Sequence, residues 1–235
     1  MIPAWNEEEA LPRVLEELSA IPGQLDVVVV NDGSLDRTSA VARAHGAQVL
    51  DLSVNLGVGG AMRAGFKYAV RSGYDIVVQL DGDGQHDPSA IPQLLQALAD
   101  ERLDIVIGAR FTGSGTYEAS GARRAAMRLF AAVLSRITHA KLTDTTSGFK
   151  AMGPRAVALF SSDYPAASLG DTVEALVIAA RAGLRVGQVG VVMRQRQAGT
   201  PSHSPFKAAL FLGRASFALV MALLRPRAQH GSPQP

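Results

Sequence analysis

Three carboxylates lie within seven residues at the end of one short apolar run. Asp81, Asp83 and Asp87 follow residues 76–80 and are separated by two glycines. The run is typical of a buried strand that ends at turn residues. Carboxylate oxygens at a strand end are ligands that Mg²⁺ and Mn²⁺ prefer, and such a cation keeps positions for water or substrate phosphates. The stretch predicts a divalent-cation site, although Asp-Gly-Asp alone fits a solvated turn equally well.

Length and composition indicate a packed globular chain and exclude several classes of function. The 235 residues are 47% hydrophobic and 19% charged, which suits one large domain. A net charge of +2 provides no general field for nucleic acid. Because no cysteine occurs, disulfides, thiolate zinc sites and a cysteine nucleophile are excluded. The first residues lack the basic and apolar stretches of a signal peptide, which predicts a cytoplasmic location.

Short β-branched runs alternate with stretches of helical spacing along most of the chain. Strands are predicted at 27–30, 47–51, 76–80, 104–108 and 185–193, and helices at 7–20, 38–45, 60–72, 88–99, 125–137 and 171–182. This alternation predicts an α/β fold in which a mainly parallel sheet is flanked by helices. Ligands of such sheets bind at the carboxyl ends of strands, where Asp32 and Asp81 both fall.

The beginning of the chain departs from this pattern. Residues 3–7 read as a loop that follows a strand, yet only Met1 and Ile2 precede them. A missing central strand would leave backbone groups of its neighbours unpaired. We therefore expect the first strand to be nearly absent, or the true start of the protein to lie upstream of Met1.

Four motifs occur in order: PAWNEE at 3–8, VNDGSLDRT at 30–38, NLGVGGA at 55–61 and DGDGQHDP at 81–88. Together they resemble those of family 2 glycosyltransferases, which have the GT-A (nucleotide-diphospho-sugar transferase) fold. The branch they resemble most is that of the polyprenyl-phosphate (dolichol-phosphate) hexosyltransferases. The resemblance implies an enzyme, with residues 1–204 as its domain, that transfers a hexose with inversion from a UDP- or GDP-linked sugar to a polyprenyl phosphate.

The resemblance assigns the earlier motifs to the nucleotide sugar and the last one to a cation. It implies Mg²⁺ or Mn²⁺ held by Asp81, Asp83 and Gln85, with Asp83 as the direct ligand and Gln85 assisting. Asp81 would contact ribose or support the metal through water. The residues it places at the nucleotide are Pro3, Ala4, Asn6, Glu7, Asp32, Gly57, Gly60 and Asp81. For Asp32 the alternative is helix capping. The glycines let the backbone approach a ligand and open a helix whose N-terminus favours anions.

Later motifs point to the acceptor. GARF at 108–111 and the pair Arg123 and Arg124 resemble family elements, and planar guanidinium groups suit phosphate. Arg110 and Arg124 are therefore expected to hold an acceptor phosphate or the leaving diphosphate, the alternative being surface arginines. TDTTSGFK at 143–150 resembles a further family loop. It suggests Asp144 as the catalytic carboxylate beside Asp83, with Asp171 and Glu174 as the next candidates.

The last part of the chain combines a basic loop with an apolar segment. Residues 206–224 are apolar apart from Lys207, Arg214 and Ser216. This predicts an amphipathic helix at 205–225 that lies in a membrane interface, followed by a disordered tail at 226–235. A core or dimer helix is the alternative. The expected partners are a nucleotide sugar, a polyprenyl phosphate lipid and the inner face of the cell membrane, with a homodimer or a membrane-protein partner also compatible and no nucleic acid.

The sequence is compatible with two other functions. One is a soluble family 2 transferase that acts on a saccharide or small-molecule hydroxyl, and another is a non-catalytic nucleotide-sugar binder. A dinucleotide-dependent dehydrogenase is excluded because no G-x-G-x-x-G follows the first strand.

Overall fold

Seven strands form the sheet within the part of the chain that the computed structural model describes, residues 1–23, 25–110, 121–165 and 171–194. In chain order they are β1 (Ile2–Ala4), β2 (Val28–Asn31), β3 (Gln48–Asp51), β4 (Val77–Gln79), β5 (Ile105–Arg110), β6 (Lys150–Met152) and β7 (Val186–Val191). All the predicted strands are present, most of them one or two residues shorter or shifted at an end.

The strand order gives a mainly parallel sheet with one reversed strand. β1, β2 and β3 are parallel neighbours, and the second group runs in the order β4, β6, β5, β7. Only β6 among these is antiparallel, pairing with β4 on one side and β5 on the other. Met1 joins the two groups, because its terminal amino group donates to Val78 O over 2.8 Å and its carbonyl accepts from Leu80 N over 3.1 Å. The predicted α/β architecture is confirmed.

The expectation of a nearly absent first strand is wrong. Ile2 pairs with Val29 and Ala4 with Asn31 in a parallel ladder. Ile2 and Ala4 are also buried, so this three-residue strand contributes both hydrogen bonds and core contacts. Its short length is tolerated here because Met1, directly before the strand, hydrogen-bonds to the β4 segment on the other side.

Helices cover both faces of the sheet. They are α1 (Leu11–Ser19), α2 (Thr38–Ala44), α3 (Gly57–Arg71), α4 (Ile91–Asp100), α5 (Gly121–Thr138), α6 (Pro154–Asp163) and α7 (Asp171–Arg181), with a 3₁₀ turn at Pro88–Ala90. Two predicted starts are displaced by proline. Pro12 forbids helix in the preceding turn, so α1 begins at Leu11 instead of 7. Pro92 likewise separates the 3₁₀ turn from α4.

Two apolar clusters, one on each face, hold the helices to the sheet. Phe66, Phe160 and Tyr164 pack ring against ring with centroids 5.3 Å apart on the α3, α6 and α7 side. Leu94 and Phe149 are buried on the α1 and α4 side. Neighbouring strands place side chains at matching positions on each face, where they pack together. Burial of each large apolar side chain stabilises the fold by roughly 2 kcal/mol.

Two elements were not predicted, and several predicted features lie outside the described residues. The sequences of β6 and α6 have no pattern that predicts a strand or a helix. The expected interfacial helix at 205–225 and the tail at 226–235 fall in the undescribed part, as do 111–120 and 166–170. No helix among the described residues is long and apolar enough to cross a membrane.

Candidate active site

A cleft of about 210 Å³ opens at the carboxyl edge of the sheet. It is built from the end of β1, the residues that follow β1, β2 and β4, and the first turn of α3. Its lining consists of Pro3, Ala4, Trp5, Glu7, Asp32, Val58, Ala61, Asp81, Gly82 and Asp83. Six of the residues predicted for the nucleotide sugar or the cation are therefore brought together in one place.

Asp32 is buried at the end of β2 and serves the fold as well as the cleft. Its Oδ1 accepts a hydrogen bond of 2.7 Å from Leu56 N, immediately before α3. The next residue, Gly33, has a φ of +68°, and a Cβ there would lie 2.8 Å from Asn55 N. Glycine is thus required for the β2 loop to approach the α3 loop. The Oδ2 atom of Asp32 makes no hydrogen bond within the described residues, which leaves it for a ligand hydroxyl or N–H.

Asn6 is not among the residues that line the cleft, and its predicted place at the nucleotide stays a prediction. Its backbone has a φ of 55°, a conformation that asparagine tolerates better than most residues. Its Oδ1 accepts from Leu35 N over 2.9 Å, and its own N–H donates to Ser34 Oγ over 2.9 Å. Asn6 therefore ties the β1 loop to the β2 loop and shapes the cleft from outside.

Trp5 is a cleft residue to which the sequence analysis gave no role. Its side chain lies in the cleft wall and the residue remains 54% exposed. An indole at the mouth of a cleft provides a flat face on which a nucleobase can stack. The available signal was an aromatic residue between Pro3 and Asn6, where a loop would not otherwise favour one.

The glycines of the third motif begin α3 three residues earlier than predicted. Gly57 has a φ of +77° and opens the helix, while a Cβ on Gly60 would lie 2.4 Å from Leu56 Cβ. Neither glycine lines the cleft, but Val58 and Ala61 of the same turn do. The N-terminus of this 15-residue helix is therefore at the cleft, where its dipole favours an anion.

The acidic turn, residues 81–87, brings two carboxylates to the cleft. Asp83 Oδ1 accepts from Gln85 N over 3.0 Å, which closes the turn. Asp81 packs on the loop before β6, since a Cβ on Gly148 would lie 2.7 Å from both of its carboxylate oxygens. Gln85 contributes backbone bonds to the turn and does not line the cleft.

The carboxylates of the cleft fit a small hard cation that takes its other ligands from a substrate. No group of three His, Cys, Asp or Glu side chains in the described part of the chain could hold a metal alone. Two carboxylates in an open cleft suit Mg²⁺ or Mn²⁺, because these ions keep waters and take substrate phosphate oxygens. Asp81 and Asp83 are the residues that would hold it.

His86 supports the acidic turn from below, a role not foreseen from the sequence. The ring is buried and stacks on Phe149 at 5.2 Å and 26°. Its Nδ1 accepts from Asp81 N over 3.2 Å and lies 3.7 Å from Asp81 Oδ2. The histidine therefore fixes the backbone from which the Asp81 carboxylate projects.

A second polar site lies at the end of β5. Asp144 is 5% exposed, and its Oδ2 accepts from Arg110 Nε over 2.9 Å. Its Oδ1 accepts from both the N–H and the hydroxyl of Thr146, at 3.2 and 3.0 Å. Both oxygens of Asp144 are thus engaged, and the carboxylate orients the Arg110 guanidinium. This arrangement suits a positioning role better than proton abstraction.

Four further predicted residues lie on α5 and α7. Arg123 and Arg124 lie on α5, but their side chains belong to the undescribed part, as does that of Asp171. Glu174 is half-buried on α7.

The comparison with known proteins identifies the family. Residues 1–159 match the model of Glycosyl transferase family 2. The chain is 34% identical over 208 residues to an undecaprenyl-phosphate mannosyltransferase of Micrococcus luteus, covering 85% of this chain and 84% of that protein. It is also 34% identical over 161 residues to a polyprenol monophosphomannose synthase of Mycolicibacterium smegmatis, covering 64% of this chain and 59% of that protein. The chain belongs to glycosyl transferase family 2 and is a glycosyltransferase.

Solved structures agree on the fold. A glucosyl-3-phosphoglycerate synthase from Mycobacterium tuberculosis, solved with Mn²⁺, UDP-glucose and phosphoglyceric acid, superposes with a TM-score of 0.71. The match covers 99% of this chain and 81% of that chain at 21% identity. The predicted GT-A fold is confirmed, and at this identity the likeness carries the fold alone.

Proposed function

We propose that the chain transfers a hexose, with inversion, from a nucleotide-diphospho-sugar to a polyprenyl phosphate on the cytoplasmic face of the membrane. The observation that carries the proposal is the pairing of Arg110 with a fully engaged Asp144 at the carboxyl edge that also bears the cleft. The Arg110 guanidinium at this site suits a phosphate. The Asp144 carboxylate already accepts hydrogen bonds through both oxygens, so it does not suit deprotonation of a hydroxyl. The relatives named for polyprenyl-phosphate substrates support the same acceptor class.

The cleft suits the donor. Trp5 provides a stacking face for the base, and Asp32 provides an acceptor for a base N–H or a ribose hydroxyl. The N-terminus of α3 favours the diphosphate. Mg²⁺ or Mn²⁺ held by Asp81 and Asp83 would supply positive charge that stabilises the leaving nucleoside diphosphate.

The acceptor phosphate has to be oriented but does not have to be deprotonated. A phosphate monoester is already largely dianionic at neutral pH, because its second pKa is about 6. One of its oxygens forms a bond to the anomeric carbon while the bond from that carbon to the diphosphate oxygen breaks. The electron pair leaves with the nucleoside diphosphate, and no base is consumed. Arg110, oriented by Asp144, would hold the acceptor phosphate for this in-line attack.

A soluble transferase that acts on a hydroxyl would need a general base, and both oxygens of Asp144 are already occupied. The test is a screen of UDP- and GDP-linked hexoses against a short polyprenyl phosphate and the matching polyprenol, with and without Mn²⁺. We expect Mn²⁺-dependent transfer to the phosphate and none to the alcohol. Equal transfer to the alcohol, or no transfer to the phosphate from any donor, would overturn the proposal.

A further inference from the structure

One arginine joins three separate elements beside the acidic turn. Arg194 follows β7, and its guanidinium contacts Glu17 Oε2 of α1 over 2.6 Å and Asp87 Oδ2 over 3.0 Å. The other oxygen of Asp87 accepts from Ser89 N over 3.0 Å and caps the 3₁₀ turn. The guanidinium therefore connects the end of the sheet, the first helix and the last residue of the acidic turn.

The backbone at the same place also reaches the acidic turn. Arg194 N donates to Gln85 O over 2.9 Å, and Met193 forms an isolated antiparallel bridge with His86. Gln85 N in turn donates to Asp83 Oδ1. Only two hydrogen bonds thus separate the Arg194 backbone from the carboxylate that would hold the cation.

The charges are arranged so that this connection is stable. The side chains of Arg194, Glu17 and Asp87 are 29%, 27% and 24% exposed, so solvent screens them only in part. Burial alone would raise the pKa of Asp87, but hydrogen bonds to Ser89 and the charge of Arg194 outweigh it and hold that pKa below its ordinary value. Arg13 extends the network by pairing with Glu17 Oε1 over 3.0 Å.

We propose that Arg194 is a positioning residue that holds the acidic turn in the geometry needed for cation binding by Asp83. The proposal rests on the proposed function, because it assumes that Asp81 and Asp83 bind the cation. A metal ligand must be held within about 0.5 Å of its productive position by the groups behind it. Arg194 performs this at two points, Asp87 through the side chain and Gln85 through the backbone.

Lysine cannot replace this arginine fully. A lysine ammonium is a single point charge, whereas the guanidinium places separate N–H groups on two carboxylates at once. We therefore expect Arg194→Lys to lie between wild type and Arg194→Ala.

The test measures Mn²⁺ binding directly and then the Mn²⁺ dependence of transfer. Free Mn²⁺ is titrated by electron paramagnetic resonance against the full chain with UDP present, for wild type, Arg194→Ala, Arg194→Lys and Arg155→Ala. Arg155 is the matched control, because it pairs with Asp104 over 3.0 Å just before β5, at the opposite edge of the sheet. Loss of a supporting contact typically weakens metal binding about 10- to 100-fold.

We expect the Mn²⁺ Kd to rise at least about tenfold in Arg194→Ala and less in Arg194→Lys, with kcat recovering at saturating Mn²⁺. Arg155→Ala should keep the wild-type Kd even where it loses a similar amount of thermal stability. Equal Mn²⁺ affinity in wild type and both Arg194 variants would overturn the inference and leave the proposed function intact. If the wild-type chain binds no Mn²⁺, the inference about Arg194 and the metal requirement in the proposed function are both wrong.

Discussion

Asp83 carries more of the proposed chemistry than any other side chain in the cleft. Its carboxylate lies in the cleft wall and closes the acidic turn through Gln85 N. We expect Asp83→Ala to lower the transfer rate by on the order of 100-fold or more, because the charge that stabilises the leaving diphosphate loses its anchor. Transfer and Mn²⁺ titration should be measured together. Asp100→Ala, at the exposed end of α4, is the control, and near-normal turnover of Asp83→Ala would remove the metal assignment.

Gly148 offers a steric test of the position of Asp81. A methyl group there would lie 2.7 Å from both carboxylate oxygens, so the carboxylate must move out of place. We expect Gly148→Ala to weaken binding of a UDP- or GDP-linked sugar with Mn²⁺ by about tenfold or more, as measured by calorimetry.

The matched control for this change is Gly153→Ala, where the nearest atom to the new methyl group is 3.7 Å away and φ is −84°. That variant should fold and bind as wild type does. If Gly148→Ala also binds the nucleotide sugar normally, Asp81 does not take part in donor binding in the position described.

The loops after β1 and β2 are held together by a carboxylate whose contribution to stability depends on pH. Asp36 Oδ1 accepts from Thr38 N at the start of α2, and its Oδ2 accepts from Glu8 N. Burial alone would raise the pKa of Asp36, but the hydrogen bonds to Thr38 and Glu8 outweigh it and lower that pKa from its ordinary value of 3.8.

A lowered pKa means that the stability from Asp36 is fully present above about pH 4 and is lost as pH falls through the folded value. We expect Asp36→Asn, which replaces a charged hydrogen-bond acceptor with a neutral one, to cost about 1 kcal/mol in the free energy of unfolding at pH 7. Urea titrations of both proteins should converge as pH falls below 4. A difference that stays constant between pH 7 and pH 3 would contradict the linkage.

Elements with a long sequence pattern were predictable, and those without one were not. The β-branched runs of β2, β4 and β5 announce strands, because such side chains fit a pleated buried surface. β6 has three residues, begins with Lys150, and is a strand only because two neighbours pair with it. The pattern could not foresee a buried lysine in that position.

The candidate site was also predictable only in part. Asp32, Asp81 and Asp83 follow recognisable strands, so their meeting in one cleft follows from parallel topology. Arg110 and Asp144 are 34 positions apart in the sequence. Their pairing depends on the antiparallel direction of β6, which no sequence pattern predicted. Likewise, the ion pairs of Arg194 with Glu17 and Asp87 depend on tertiary packing between parts of the chain that are more than 100 residues apart.

Membrane attachment is a prediction about the chain beyond residue 194. The sequence of 205–225 suits an interfacial helix with basic residues among apolar ones. We expect the full chain to float with liposomes that contain anionic lipid and a chain ending at residue 204 to remain largely unbound. High salt should weaken the flotation of the full chain, since part of the attraction is electrostatic. Equal flotation of the two chains would count against the helix as a membrane anchor.

The reversed direction of β6 has a consequence for how the two substrates bind. Because β6 opposes its neighbours, the segment that enters it, and not the one that leaves it, reaches the carboxyl edge of the sheet. Residues 144–148 therefore touch the Arg110 guanidinium at one end and the Asp81 carboxylate at the other. Occupancy of either subsite should stiffen this shared stretch, so we expect substrate synergy, in which each substrate lowers the KM of the other in initial-rate kinetics.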